Sequence, residues 1–369
     1  MTGILQFITR RSGATAAIVI GVTLAILLVI YAAPIVKEQH AIRRVQEVGQ
    51  VETRPAGPEW LATRFGDAGW WPRTAHRVQL HISTRGTGEV ARSLRDMRSL
   101  EAVHIGVENT AADRLDLAEL VQFIADGSAE TVTTLGIRSD SCRGVEMSAP
   151  AGRQLARLRH LESLSLRVGV TDLVFPQAAS FPNLRGLSVT ACGRLLGDDA
   201  FAALGTLTGL HWLELREFTA DPESFRHVRA LSNLTYLILA DTDCGDRALR
   251  HFSPTDWPVL QSVFLQRTRV TDAGLEQIAE LRSLLLVDLA DTKITDRGVA
   301  KLAGMPRLES LTLERTAVTP ACLGALRTLP NLKYLYLRGT AIGGVHQRRF
   351  REALPDVLIG FTDATAPAD

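Results

Sequence analysis

The chain is poor in the residues and patterns that usually carry chemistry. Its 369 residues include four cysteines, four tyrosines and five tryptophans, and aromatic residues make up 6% of it. The cysteines, Cys142, Cys192, Cys244 and Cys322, stand 50 or more residues apart. There is no C-x-x-C and no zinc-ligand spacing, so each is expected to be a small buried thiol. Charge is in no excess either: 41 basic residues meet 40 acidic ones, for a net charge of +1. That removes the global field that draws a protein to nucleic acid. G-x-x-x-x-G-K-[ST], G-x-S-x-G and H-E-x-x-H are all missing. "GTGEVARSLRD" from Gly86 is a loop entering a helix, not a phosphate cradle. Nothing supplies a polar pocket with a perturbed acid or base. The expectation is a protein that is not an enzyme, with no cofactor and no metal site.

Long apolar runs are present only once. "ATAAIVIGVTLAILLVIYAAPIV", Ala14 to Val36, carries no charge over 23 residues. A helix of that length spans roughly 35 Å, enough for a bilayer core. A cleaved signal peptide has a shorter apolar region and a polar segment before its cleavage site. Residues 1–13 therefore read as a short leader and 14–36 as an uncleaved transmembrane anchor touching the lipid bilayer. Arg10 and Arg11 before the span balance Lys37, Arg43 and Arg44 after it. The short leader is placed inside, which puts the repeat domain outside the cytoplasm in a single-pass membrane protein.

The rest of the chain repeats itself. "TRVTDAGLEQIAEL" begins at Thr268, "TKITDRGVAKLAGM" at Thr292 and "TAVTPACLGALRTL" at Thr316, each 24 residues after the last. Before each stands Leu-x-x-Leu-x-Leu, as in "LPNLKYLYL" from Leu329. First leucines recur at Leu161, Leu184, Leu210, Leu234, Leu260, Leu284, Leu308 and Leu332. Weaker copies open at Arg77, Leu100 and Val132, making about eleven units over 76–361. Two of the early intervals stretch to 32 and 29 residues, which calls for longer loops or helices there.

Each part of the repeat has a physical reading. Leu-x-Leu has the two-residue period of a strand with one face in a core. Leu275, Ile278 and Leu281 form a helix stripe. Thr271 suits the N-cap, with Asp272 near the helix N-terminus. Val270 and Ile294 plug inward. Thr242, Thr268, Thr292, Thr316 and Thr340 mark the turn after each strand, where hydroxyls bond backbone. One strand and one helix cannot bury their own apolar face; stacked copies can. The fold class is α/β, a solenoid with a curved parallel sheet inside and helices outside.

These residues resemble the leucine-rich-repeat family, and more narrowly its ribonuclease-inhibitor-like, cysteine-containing branch, whose units carry "ITDxGLxxLxxL". They look most like membrane-anchored bacterial proteins of that type, which implies a place at the cell envelope. Residues 37–75 read as a juxtamembrane linker and N-terminal cap. It would hold a helix around Gln39–Val48 with Ile42, Val45 and Val48 on one face, then a short strand and a second helix around Pro58–Phe65. Residues 362–369 read as a disordered tail.

The residues that do not repeat face the other side of each strand. That face carries Ser and Thr in its first half. In its second half Trp212, Tyr236, Phe264, Tyr334 and Tyr336 stand where solvated residues belong. Tyr, Trp and Arg are common interface anchors, and exposed apolar patches mark contact. The expected function is capture of a protein or peptide on the concave face. The aromatics would anchor it, and Glu214, Arg216, Gln266, Asp288, Glu314 and Arg338 would set specificity. The alternative is a structural envelope component that self-associates. His81 and His104 are expected in one column on adjacent strands, close enough to hold a metal or sense pH if a third group joined them.

Overall fold

The computed structural model describes residues 34–55, 73–83, 92–108, 115–139, 145–170 and 181–361. The leader, most of the proposed span, the second cap helix, Trp60, Trp70, Trp71, Cys142 and the tail lie outside the described residues. Among the described residues no helix is long and apolar enough to cross a membrane.

One sheet of thirteen strands runs through the molecule in chain order. Its first pair, Gly49–Pro55 with Arg73–Ser83, is antiparallel. Every later pair is parallel, ending on Leu358–Gly360 beside Tyr334–Tyr336. Eleven strands thus lie between the antiparallel edge and the closing strand. The helix over 34–46 joins the core at this end, with Ala41, Ile42 and Val45 buried. Val48, expected on the same buried face, is 39% exposed. The helix ends before it, so the helical period no longer carries it inward. Glu38 is buried in this cap and accepts a hydrogen bond from the Ala75 amide at 3.1 Å. Burial is the main cause of its raised carboxyl pKa.

The stretched early units hold extra structure. Ala118–Ser128 forms an eleven-residue helix. Leu115–Asp116, Val145–Met147 and Gly169–Val170 pair into a second, three-stranded parallel sheet. From Tyr236 on, each strand shrinks to three residues and each unit is alike.

The regular units show why stacking is obligatory. Leu284, Val287, Leu289, Ile294, Val299 and Leu302 of one unit are each at most 1% exposed. Full burial of such side chains is worth about 1.5–3 kcal/mol each, and only neighbouring units can cover them. Turn threonines close each unit locally: Thr268 donates to the Leu265 carbonyl at 2.7 Å and Thr316 to that of Leu313 at 2.6 Å.

The aspartate of "TDxG" acts one unit further on than its sequence position suggests. Asp272 accepts from the Thr295 amide at 2.8 Å and from its hydroxyl at 2.6 Å. Asp246 does the same for Thr271 and also receives the Gly274 amide at 3.1 Å. Asp296 does it for Thr319. The glycine of the motif follows from this. A Cβ on Gly274 would stand 2.6 Å from the Asp246 carboxylate, and Gly298 faces Asp272 in the same way. Thr295 and Thr319 are N-caps, as their type suggests. Thr271 differs: its hydroxyl accepts from Ala273, but the α-helix begins only at Leu275.

A further regularity lies in the turn after each strand. Glu217, Asp241, Arg267, Asp291 and Arg315 all take φ between 51° and 60°, and Gly339 follows at 69°. Left-handed backbone is costly for residues with a Cβ. Here neighbouring units link their turns by forked ion pairs, Asp241 with Arg267 and Asp291 with Arg315, the latter with two bonds of 2.6 Å.

Candidate functional site

The strand register decides which side chains share a row across the outer face of the sheet. Glu214, Ile238, Phe264, Asp288, Thr312 and Tyr336 occupy one row, strand after strand. Trp212, Tyr236, Ser262, Leu286, Ser310 and Tyr334 form the row beside it. Of the residues expected to bind a partner, Trp212, Glu214, Tyr236, Phe264, Asp288, Tyr334 and Tyr336 fall in these two rows, whereas Arg216, Gln266, Glu314 and Arg338 follow them toward the turns.

They are not equally available. Tyr236, Tyr334 and Tyr336 are 45%, 42% and 40% exposed, high values for large side chains. Phe264 and Trp212 are half-buried. A Cβ on Gly186 would stand 3.2 Å from the Trp212 ring, so that ring lies across the neighbouring strand and is partly structural.

The charged members largely satisfy one another. Arg216 pairs with Glu214, which also accepts from the Ser188 hydroxyl at 2.9 Å. Glu314 lies 3.4 Å from Arg338 and 3.6 Å from Arg315. Asp288 accepts from the Ala290 amide at 2.9 Å, yet burial outweighs that bond and raises its carboxyl pKa. Gln266 is different: its Oε1 is buried without a hydrogen-bond partner among the described residues. Leaving such an acceptor bare costs about 1–3 kcal/mol.

The histidine column is corrected. His104 pairs in register with Gln79, and His81 with Gly106. The strands are slipped by two residues from the alignment of "VQLHI" with "EAVHI". A two-residue slip keeps every apolar side chain inward, so the apolar pattern does not detect it. Among the described residues no three His, Cys, Asp or Glu side chains are grouped to hold a metal ion.

The cysteines are corrected in part. Cys244 and Cys322 are free and buried. Desolvation holds the Cys244 thiol far above its ordinary range and pushes Cys322 up to about 12. Such thiols are inert rather than nucleophilic. Cys192, expected as a buried free thiol, is instead disulfide-bonded.

Comparison with known proteins agrees with the repeat. Residues 280–303 match the family model described as leucine rich repeat. That span contains the strand Leu286–Asp288 and the capped helix Asp296–Lys301. Its architecture recurs in register on either side. Residues 280–303 are thus a leucine-rich repeat, and the units in register on either side are built on the same plan. The match names no subtype, so the ribonuclease-inhibitor-like branch remains a resemblance. No curated protein matches in sequence. Among solved structures, an internalin from Listeria monocytogenes is 13% identical at a TM-score of 0.49, covering 84% of this chain and 94% of that one. The mouse RP105/MD-1 complex gives 13% and 0.49, covering 78% of this chain and 54% of that chain. A leucine-rich-repeat protein of Leptospira interrogans gives 15% and 0.37, covering 84% and all of that chain. The fold rests on the chain's own repeat and register.

Proposed function

We propose that this chain is a non-enzymatic, membrane-anchored protein that captures a protein or peptide partner on the outer face of its sheet. The observation that carries the reading is the triplet of exposed tyrosines, Tyr236, Tyr334 and Tyr336, on one sheet face. A sheet face meant only for water has no reason to hold large rings there. Rigid aromatic rings give contact area at low entropic cost, and interface anchors are enriched in them.

The anchor is residues 14–36, and the repeat domain lies outside the cytoplasm. The disulfide at Cys192 supports that side, because disulfides persist in oxidising compartments. Protease shaving of intact cells tests the orientation: digestion of residues beyond 60 is expected, and full protection overturns it. The binding reading is tested by crosslinked pull-down from intact envelopes with wild type and with Tyr236→Ala/Tyr334→Ala/Tyr336→Ala. Loss of a specific captured protein supports it. Unchanged capture, or a ladder of homo-oligomers alone, overturns it, and the latter favours a self-associating envelope component.

A further inference from the structure

The same sheet face has a second, chemically different region in its first third. His81, Gly106, Arg138 and Arg167 occupy one row, and Gln79, His104, Gly136 and Ser165 the next. The two glycines make room for the two imidazoles. A Cβ on Gly106 would stand 2.8 Å from His81 Nδ1, and one on Gly136 would stand 2.8 Å from His104 Cδ2. The rings therefore lie across neighbouring strands and flank a hollow of about 360 Å³, whose polar lining includes Arg138 and Ser165.

Arg138 and Arg167 stand directly opposite one another on adjacent strands, and both are exposed. Among the described residues neither makes an ion pair or a side-chain hydrogen bond. Glu108, two residues beyond Gly106 on the same strand face, pairs with neither. Strands lie about 4.8 Å apart, and like charges set directly opposite each other are destabilising. Elsewhere the rule is the reverse: Arg216 on this sheet, and Arg267, Arg315 and Arg338 in the turns that follow its strands, each face a carboxylate. Two opposed, unpaired guanidiniums beside a hollow are therefore the exception on this surface.

We propose that this hollow is a binding site for a small ligand carrying a phosphate-type dianion. Two negative charges balance two guanidiniums, whereas a carboxylate would leave one uncompensated. The planar guanidinium fork matches tetrahedral oxyanion oxygens with paired N–H bonds. His81, His104 and the Ser165 hydroxyl supply further polar contacts around the same space. The cationic row stops there. Beyond Arg167 comes buried Thr190, and beyond that Arg216, already held by Glu214. The site is thus short, suited to one oxyanion group and a ring-sized body rather than an extended polyanion. It does not depend on the tyrosine face.

The test is equilibrium dialysis of the full chain in non-ionic detergent against inorganic phosphate, glucose 1-phosphate and glucose. Saturable one-to-one binding of both phosphates is expected, with none for glucose. Tighter binding of glucose 1-phosphate assigns the site to an ester, and equal binding assigns it to the free oxyanion. Arg138→Gln/Arg167→Gln should weaken phosphate binding by at least about tenfold, since charge-assisted hydrogen bonds are lost. Arg138→Lys/Arg167→Lys, which keeps the charge without the fork, should fall between them. Tyr334→Ala/Tyr336→Ala should bind phosphate like wild type. The inference is overturned if neither phosphate saturates, if glucose binds equally, or if the glutamine variant binds like wild type with an unchanged thermal midpoint.

Discussion

The two ends of one sheet have been finished in opposite ways. From Tyr236 to Tyr336 the units keep near-identical length, and their outer face carries large rings and neutralised charges. From Arg73 to Arg167 the strands are mostly longer, a second small sheet is added, and the outer face is glycine, serine, histidine and unpaired arginine. The core beneath is the same: Leu80, Leu135 and Leu335 are all fully buried. The difference teaches that inward positions are set by stacking and are shared, while outward positions are free to differ. The two proposed ligand sites lie where they differ.

Breaking the aromatic end should give the largest effect. The tyrosine triple variant is expected to weaken partner capture by about a hundredfold or more, since each anchor of this type commonly costs 2 kcal/mol or more. Phosphate binding at the other end should be untouched. If both fall together, the two ends are one site.

Stability offers the next contrast. Asp272→Ala removes the acceptor for two groups of the following unit. Unmet donors in a partly buried position cost about 1–3 kcal/mol. The loss should show as a lower urea midpoint and as faster amide exchange around Thr295. Exchange around Leu135 should not change, because couplings in a repeat array are nearest-neighbour.

Acid should separate the ends more gently. The guanidiniums of Arg267 and Arg315 hold Asp241 and Asp291 below the ordinary carboxylate range, chiefly by direct hydrogen bonds. A depressed carboxyl contributes stability above its unfolded pKa and loses it as pH falls through the folded one. Melting temperature should therefore drop on going from about pH 5 to about pH 2, and Asp241→Asn/Asp291→Asn should flatten that drop. An unaltered slope would mean these exposed pairs contribute nothing.

The smallest effect concerns the thiols. Cys244 and Cys322 should resist alkylation at neutral pH in the folded chain, because buried thiols with raised pKa hold almost no thiolate. Reduction should alter exchange in the units around Cys192 and leave exchange in the units beyond Leu284 as it was. Mass spectrometry after iodoacetamide reads the first, and hydrogen–deuterium exchange with and without reductant reads the second.

Much of this was legible in the residue order. The 24-residue interval, the inward leucines, the plugging Val270 and Ile294, and the turn threonines all follow from local periodicity, and the structure seats them so. The aromatics of the outer face were legible too, as large residues at outward positions. What could not be read depends on partners far along the chain. Asp272 looked like a local helix-start residue because propensity is local, but its carboxylate reaches the next unit. Asp241 and Arg267 are 26 residues apart, and nothing local links their turns. His81 and His104 were misaligned because a slip of two residues leaves every apolar side chain buried.

The sequence by itself determined a stack of strand-and-helix units with one apolar face each, since no single unit can bury that face alone. It also determined which side chains are turned away from the core. Only the tertiary structure decided how those outward residues line up. Register between strands places Arg138 against Arg167 and spreads Tyr236, Tyr334 and Tyr336 along one surface. Register is a property of pairs of strands, set by backbone hydrogen bonds between units, and no single unit contains it.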